Sequence, residues 1–482
     1  MHMHMSSLWR HADFLRLWAG QTVSQVGSQL TLVALPLTAA LTLHARSSEM
    51  GLLVALEAAP FLIVGLPAGV WVDRLRRRPI LVGADLGRGA LLGSLPVADL
   101  LHRLSLGQLY VVACGVGVLT VFFDVAYQSF LPSVVRRDHI VEGNSKLEVS
   151  RSAAQVVGPG LAGGLIQVLT APLTIAVDAL SFLVSAACLL TLRTPETRAQ
   201  QELPHRGMLA EIGEGVRLVV RHPLLRAIAG CSATLNLFTF MQTAVYVLYV
   251  TRALALAPAV LGLLYAVGGA AALLGAVISS RLVQRVGLGS TIIGGALLQA
   301  AADVIIPGAG GAPIVAVPIL LAGQILFGVG LSVYGINQVS LRQLVTAERL
   351  QGRMNATLRV IVTGAVPVGA LAGGVLGERV GLRPTLLIGG VGATLGVLWL
   401  LASPMGTVRQ ASALIDGRGW PLGWSPACHT SCALHLARIQ MVCSITVGHN
   451  VSSDEGSAAR WKATMKRSNR WKVPRRSRRR RR

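Results

Sequence analysis

The chain has 482 residues, 52% of them apolar and 13% charged, with a formal net charge of +23. An average soluble domain is roughly a quarter charged, so this balance excludes an ordinary soluble enzyme or binding module and places the chain in lipid. The charge is concentrated at one end: residues 406–482 hold 16 Lys+Arg against 3 Asp+Glu, which leaves a net +10 for everything before them.

A helix needs about 20 mostly apolar residues to cross a hydrocarbon core. Such runs recur at 20–43, 50–71, 79–100, 106–131, 149–169 and 172–192. After a polar interval they return at 224–250, 258–278, 290–307, 314–339, 360–376 and 384–401. Twelve spans are expected, apolar all round rather than striped, as helices are when nothing but protein and lipid surrounds them. Basic residues cluster after the even spans: Arg74 and Arg76 to Arg78 after the second, Arg136, Arg137, Lys146 and Arg151 after the fourth, Arg281 and Arg285 after the eighth. Short loops rich in Lys and Arg stay in the cytoplasm, so both termini and the middle segment are expected there. Cys114, Cys188 and Cys231 lie in or at the edge of spans and the other cysteines in the tail, so no disulfide framework is expected.

The sequence matches itself at a spacing of about 208: Asp73-Arg74 answers to Ser280-Arg281, and Arg151 and Pro159 to Arg359 and Pro367. Parallel six-helix repeats of this kind place a substrate site near the midplane between them. Four segments follow: a six-helix bundle over 1–192, a linker over 193–223, a second bundle over 224–405, and a basic tail over 406–482 that is expected to be disordered. Residues 208–220 of the linker read as an amphipathic helix on the inner membrane surface, either a tether or a regulatory element.

The run Gly69-Val-Trp-Val-Asp73-Arg74-Leu-Arg76-Arg77-Arg78 resembles the Gly-x-x-x-Asp-Arg-x-Gly-Arg-Arg loop signature of the major facilitator superfamily, with Arg76 in place of Gly. Gly158-Pro159-Gly-Leu-Ala162-Gly163 resembles that family's antiporter signature in the fifth helix. The segments Asp13-Phe14-Leu-Arg16-Leu-Trp18 and Asp178-Ala-Leu-Ser181-Phe182 look like the branch holding macrolide-efflux proteins and the enterobactin exporter. The resemblance implies an all-α membrane protein of twelve helices that exports small amphipathic compounds, with protons as a second partner. The family's frequent arginine within the fourth helix is missing, since 106–131 contains none. An importer or facilitator on the same fold, or a non-transporting receptor, are the alternatives.

Candidate residues fall into four groups. Asp73 suits a helix cap, Arg74 and Arg78 suit pairing with a carboxylate on the next helix, and Asp124 is the acid of span four. The resemblance implies a cytoplasmic latch there; the plainer reading is that these arginines set topology and touch lipid headgroups. Glu57, near the middle of span two with no basic residue in its span, is a candidate proton carrier or else a neutral helix-packing group, and Asp178 and Asp303 are similarly open. Asp85 and Arg88 share one face of span three and read as a local structural pair. Gly158, Pro159 and Gly163 form a candidate kink and packing hinge, while Gln21, Gln25, Asn236, Gln242 and Gln324 are candidate cavity-lining or interhelical groups.

No metal or cofactor is expected, nor any enzymatic centre: Cys428, His429, Cys432 and His435 fit no standard zinc spacing, and the Gly389 to Gly396 string lies inside a span with no strand before it. The basic tail suggests no specific nucleic acid, and a monomer in the lipid bilayer is expected.

Overall fold

A computed structural model describes residues 8, 11–135, 139–192 and 208–408; the basic tail, the first part of the linker, and the side chains of Asp73 and Arg74 lie outside the described residues. The first half consists of α1 (Ala12–Leu37), α2 (Ser47–Ile63), α3 (Gly65–Arg74), α4 (Arg77–Leu100), α5 (Leu106–Val134), α6 (Ile140–Val168) and α7 (Ala171–Leu190). After α8 (Met208–Arg221), the second half follows as α9 (Pro223–Leu248), α10 (Pro258–Val286), α11 (Leu288–Ile305), α12 (Pro313–Val345), α13 (Glu348–Arg379) and α14 (Leu382–Leu401).

Local chemistry sets these bounds. His11 caps α1, its imidazole accepting from the Phe14 amide at 3.3 Å. Helix α1 therefore begins eight residues before the apolar run, because Arg16 pairs with Asp13 at 3.0 Å and donates to the Thr191 carbonyl at 2.9 Å. The second span is broken at Val64. Pro67 has no amide for the Ile63 carbonyl and its ring crowds the preceding turn, which is how proline interrupts a helix.

Contacts within each half repeat. In the first half α1 packs on α6 and α7, α4 on α5 and α7, and α2 on α5; in the second, α9 packs on α13 and α14, α11 on α12 and α14, and α10 on α12. Helix starts correspond at a spacing of 211 for Ala12 and Pro223, Ser47 and Pro258, Arg77 and Leu288, and Ala171 and Leu382, against 207 for Leu106 and Pro313 and 208 for Ile140 and Glu348. The helix register thus pairs Arg74 with Arg285 rather than with Arg281, which the match of residue types had suggested. Even irregularities recur. Both α1 and α9 end in a π-helical turn, at Thr38–Thr42 and Tyr249–Ala253, and the left-handed residues His44 and Ala255 follow.

The halves meet through α2 against α13 and α6 against α10. At Gly163 and Gly262 the backbones of α6 and α10 touch, and Gly51 and Gly374 do the same for α2 and α13. All four glycines lie toward the end of the bundle away from the basic loops. Arg252 also donates across the halves to the Ala40 carbonyl at 2.8 Å, and Arg46 faces Glu378 at 3.8 Å. One hydrophobic cluster spans both halves at this end, from Leu30 and Leu37 to Val250 and Leu261. Toward the basic end the cores separate: one is built from the first half around Phe14 and Phe130, the other from the second around Leu235 and Ile292.

Helix α8 packs on α13 and α9. It buries Val219 against Met354 and Leu358 and pairs Glu214 with Arg353. The ordered packing of the second half continues past residue 405, because buried Met405 and Val408 join its core and the Val408 carbonyl accepts from the Gly289 amide at 2.9 Å.

Candidate transport cavity

Nine helices among the described residues are long and apolar enough to cross a membrane. The three spans that fall short are α1, α2 and α6. They are also the helices that turn polar side chains into a cavity of about 530 Å³: Gln21, Ser24, Gln25 and Ser28 from α1, Glu57 from α2, and Asn144, Glu148 and Arg151 from α6. Helix α2 falls short because it is only 17 residues long before the break at Val64, whereas α1 and α6 fall short through their polar stripes, which form part of the cavity wall. Helix α5 adds Phe123, Asp124, Tyr127 and Gln128, with Arg88 from α4 and Asp178 and Phe182 from α7.

Behind this wall lies a charge cluster. Arg88 is 5% exposed and Asp85 fully buried, and the two form an ion pair one turn apart. The Arg88 guanidinium is clamped between two rings, with its carbon 4.3 Å from the Phe123 centroid and 4.2 Å from that of Phe182. Asp178 accepts from the Thr31 hydroxyl of α1 and from Ser181 at 2.9 Å, which ties α1 to α7 where Gly27 leaves no room for a side chain. Asp124, open to the cavity, feels the positive charges of Arg88, Arg151 and, from the second half, Arg359. Arg151 and Arg359 are related by the internal repeat.

The expected site residues distribute as follows. Glu57, Asp124, Asp178, Gln21 and Gln25 share this one cavity. Asn236, Gln242 and Gln324 do not line it: Asn236 donates to the Ser232 carbonyl at 2.8 Å, Gln242 to the carbonyls of Asp303 and Leu386, and Gln324 to the Tyr246 hydroxyl at 3.1 Å. Gln242 and Gln324 hold helices of the second half together, as buried amides do when they find partners on neighbouring helices, whereas the Asn236 bond stays within α9. Asp303 is buried in that half and accepts from Thr239 at 3.0 Å. Arg78 donates to the Leu189 carbonyl at 2.9 Å and to that of Leu190, closing the end of α7. Helix α6 runs unbroken through Gly158 and Pro159, with Gly158 against Gln29 of α1 and Gly163 against α10. Spacing within α4 indicates the Asp85 and Arg88 pair, but not the acids of α5 and α7 around it; each stands one or four residues from a ring that clamps the arginine.

Two six-helix halves related by an internal repeat, with a polar cavity lined by residues of the first half rather than between the halves, fit a membrane transport protein. The sequence model of the Major Facilitator Superfamily matches residues 17–243 and 227–450, and the chain belongs to that superfamily. It is 28% identical over 399 residues to the multidrug efflux pump Tap of Mycolicibacterium fortuitum, covering 80% of this chain and 93% of that one. To the uncharacterized MFS-type transporter YfiS of Bacillus subtilis it is 26% identical, covering 84% and 96%. Macrolide efflux protein A of Streptococcus pyogenes is 24% identical over 47% of this chain and 56% of its own length. Among solved structures, a bacterial homologue of the iron transporter ferroportin in an inward-facing state superposes with a TM-score of 0.64 at 18% identity, covering 83% of this chain and all 100% of that one. The nucleoside transporter NupG gives 0.64 at 10% identity, covering 81% and 98%. These two superpositions show the fold.

Proposed function

We propose that the chain is a proton-coupled exporter of small amphipathic compounds, antibiotic- or siderophore-like, working by alternating access in a bacterial cytoplasmic membrane with both termini inside. The observation that carries this reading is the cavity, whose walls combine Phe61, Phe123, Tyr127 and Phe182 with the carboxylates Glu57, Asp124 and Asp178. Aromatic walls suit lipophilic cargo. Carboxylates at membrane depth are costly and persist where they face water or a proton path. The bundle is packed shut away from the basic loops, and such loops stay cytoplasmic, so cargo loads from the cytoplasm. Relatives named as efflux pumps support that direction.

On this reading Glu57, Asp178 and, in the second half, Asp303 exchange protons. Asp73, Arg74, Arg78 and Asp124 form the latch of the outward-facing state, and Gly158, Pro159 and Gly163 are the hinge against which the halves rock. An accumulation panel in a pump-deficient host, with ethidium, a macrolide and a siderophore analogue, tests it. Cells expressing the chain should retain less of at least one compound, and the difference should vanish when the proton gradient is collapsed. Greater accumulation of the compounds in expressing cells would reverse the direction and make the protein an importer.

A further inference from the structure

Helix α8 has three sides, and protein packing accounts for one of them. On its inner side Val219 is buried against Met354 and Leu358, and a Cβ at Gly215 would meet the Arg353 carbonyl oxygen of α13 at 2.8 Å. Glu214 pairs with Arg353 and is satisfied there. The remaining sides are uncovered. Val216 and Val220, one turn apart, are 42% and 53% exposed. Arg217 and Arg221, also one turn apart, are exposed, as is Arg226 in the first turn of α9. None of these three guanidinium groups makes an ion pair or hydrogen bond among the described residues. No acid occurs from Gly215 to Arg226. At 3.6 residues per turn, neighbouring positions stand about 100° apart on a helix, so an apolar strip and a cationic strip run side by side along the outside of α8.

The depth of these strips is set by the next helix. His222 is the single residue between α8 and α9, and its ring accepts from the Leu225 amide at 3.4 Å to cap α9. From Pro223 the chain is long and apolar enough to cross a membrane. The last turn of α8 therefore stands where that span leaves the lipid. An apolar strip at this level is covered by acyl chains rather than water, and arginines beside it extend to the phosphates. A soluble polyanion would satisfy the arginines and leave the valines in water, whereas a phospholipid covers both.

We propose that the outer side of α8 is a binding site for anionic phospholipid, with Arg217, Arg221 and Arg226 on the headgroup phosphates and Val216 and Val220 against the acyl chains. Because α8 packs on α13 and α9, this lipid is held by the second half and travels with it. The site lies apart from the transport cavity and stands whatever the cargo or its coupling.

The test is native mass spectrometry of the purified full chain titrated with phosphatidylglycerol or phosphatidylcholine. Phosphatidylglycerol should be retained in preference. Each arginine near an anionic surface is worth about fivefold in binding, so Arg217→Gln with Arg221→Gln should weaken retention about 25-fold. The control Arg281→Gln with Arg285→Gln removes the same charge from two exposed arginines of α10 and should change it by less than about twofold. Equal retention of both lipids, or equal loss in the control, overturns the proposal, as does displacement of phosphatidylglycerol by an equal concentration of inorganic phosphate. A second measurement needs no arginine variant: a spin label on a cysteine at Val220, in a chain otherwise stripped of cysteine and held in bilayers containing phosphatidylglycerol, should be relaxed more by oxygen than by a water-soluble nickel chelate. The reverse order places the strip in water and overturns the site.

Discussion

Closure of the bundle away from the basic loops depends on two backbones touching, so the smallest possible wedge should open it. In Gly262→Ala the new Cβ would lie 2.5 Å from the Pro159 carbonyl oxygen and 2.8 Å from the Gly163 Cα. Both are backbone atoms of α6, so no side chain can swing aside and α10 has to move. Overpacking of this kind costs about 1–3 kcal/mol. The cost falls only on the state closed there, since in the alternate state α6 and α10 part at that end, and the equilibrium should shift about 5- to 150-fold toward it. The assay is thiol labelling in a chain stripped of native cysteines. A single cysteine at Ser48, packed against Gly374, should label faster in the variant, and one at Asn144 in the mouth on the basic side should label more slowly. A folded Gly262→Ala protein that labels like its parent at both positions would refute the claim that this contact is the closure.

Other consequences are open to measurement. Glu57→Gln should abolish gradient-driven efflux while leaving counterflow measurable; undiminished gradient-driven efflux would hand the role to Asp124, Asp178 or Asp303. Asp73→Asn and Asp124→Asn should each slow transport and raise labelling at Asn144, because a partly buried charge-assisted bond is worth about 1.5–3 kcal/mol; normal transport with unchanged labelling would reduce the loop after α3 to a topology signal. Thr170 is a β-branched residue at φ 127°, and its repeat counterpart Gly381 sits at φ 94°, so Thr170→Gly should stabilise the protein by about 1 kcal/mol, read as a higher melting temperature with transport intact. Truncation after residue 410 should preserve insertion and transport, whereas a cut at 404 removes Met405 and Val408 from the core and should lower thermal stability.

Much of this architecture is written in the chain's apolar runs, because a span must be apolar wherever it meets lipid. The runs locate twelve helices but misjudge where they begin. Helix α1 carries Asp13 and Arg16 in its opening turns, and those charges are satisfied by each other and by the Thr191 carbonyl, a partner far away in sequence. The repeat is visible for the same reason as the spans: residue matching agrees with the helix register in α6, and is off by a turn at Asp73-Arg74, where the register is 211. Within the site, Glu57, Asp124 and Asp178 are conspicuous as acids among apolar neighbours. The gathering of Asp124 and Asp178 around Arg88 is not, because it depends on how α4, α5 and α7 are rotated about their own axes, and local spacing carries no record of that. The amides of the second half mislead in the opposite sense: Gln242 looks like a cavity group, yet its two bonds go to carbonyls of neighbouring helices.

The polar stripes of α1 and α6 bear on how the protein is made. A membrane-insertion machine that judged each segment singly by its apolarity would favour the other spans over α1 and α6. The two weakest segments both belong to the first half, so they emerge from the ribosome before most of their stronger partners. Their entry into lipid is best understood as cooperative, with early helices held near the insertion site until α4, α5 and α7 arrive to cover their polar faces. A fragment that stops before α7 should therefore be a poor membrane protein and a good substrate for quality-control proteases, even though it contains five of the twelve spans.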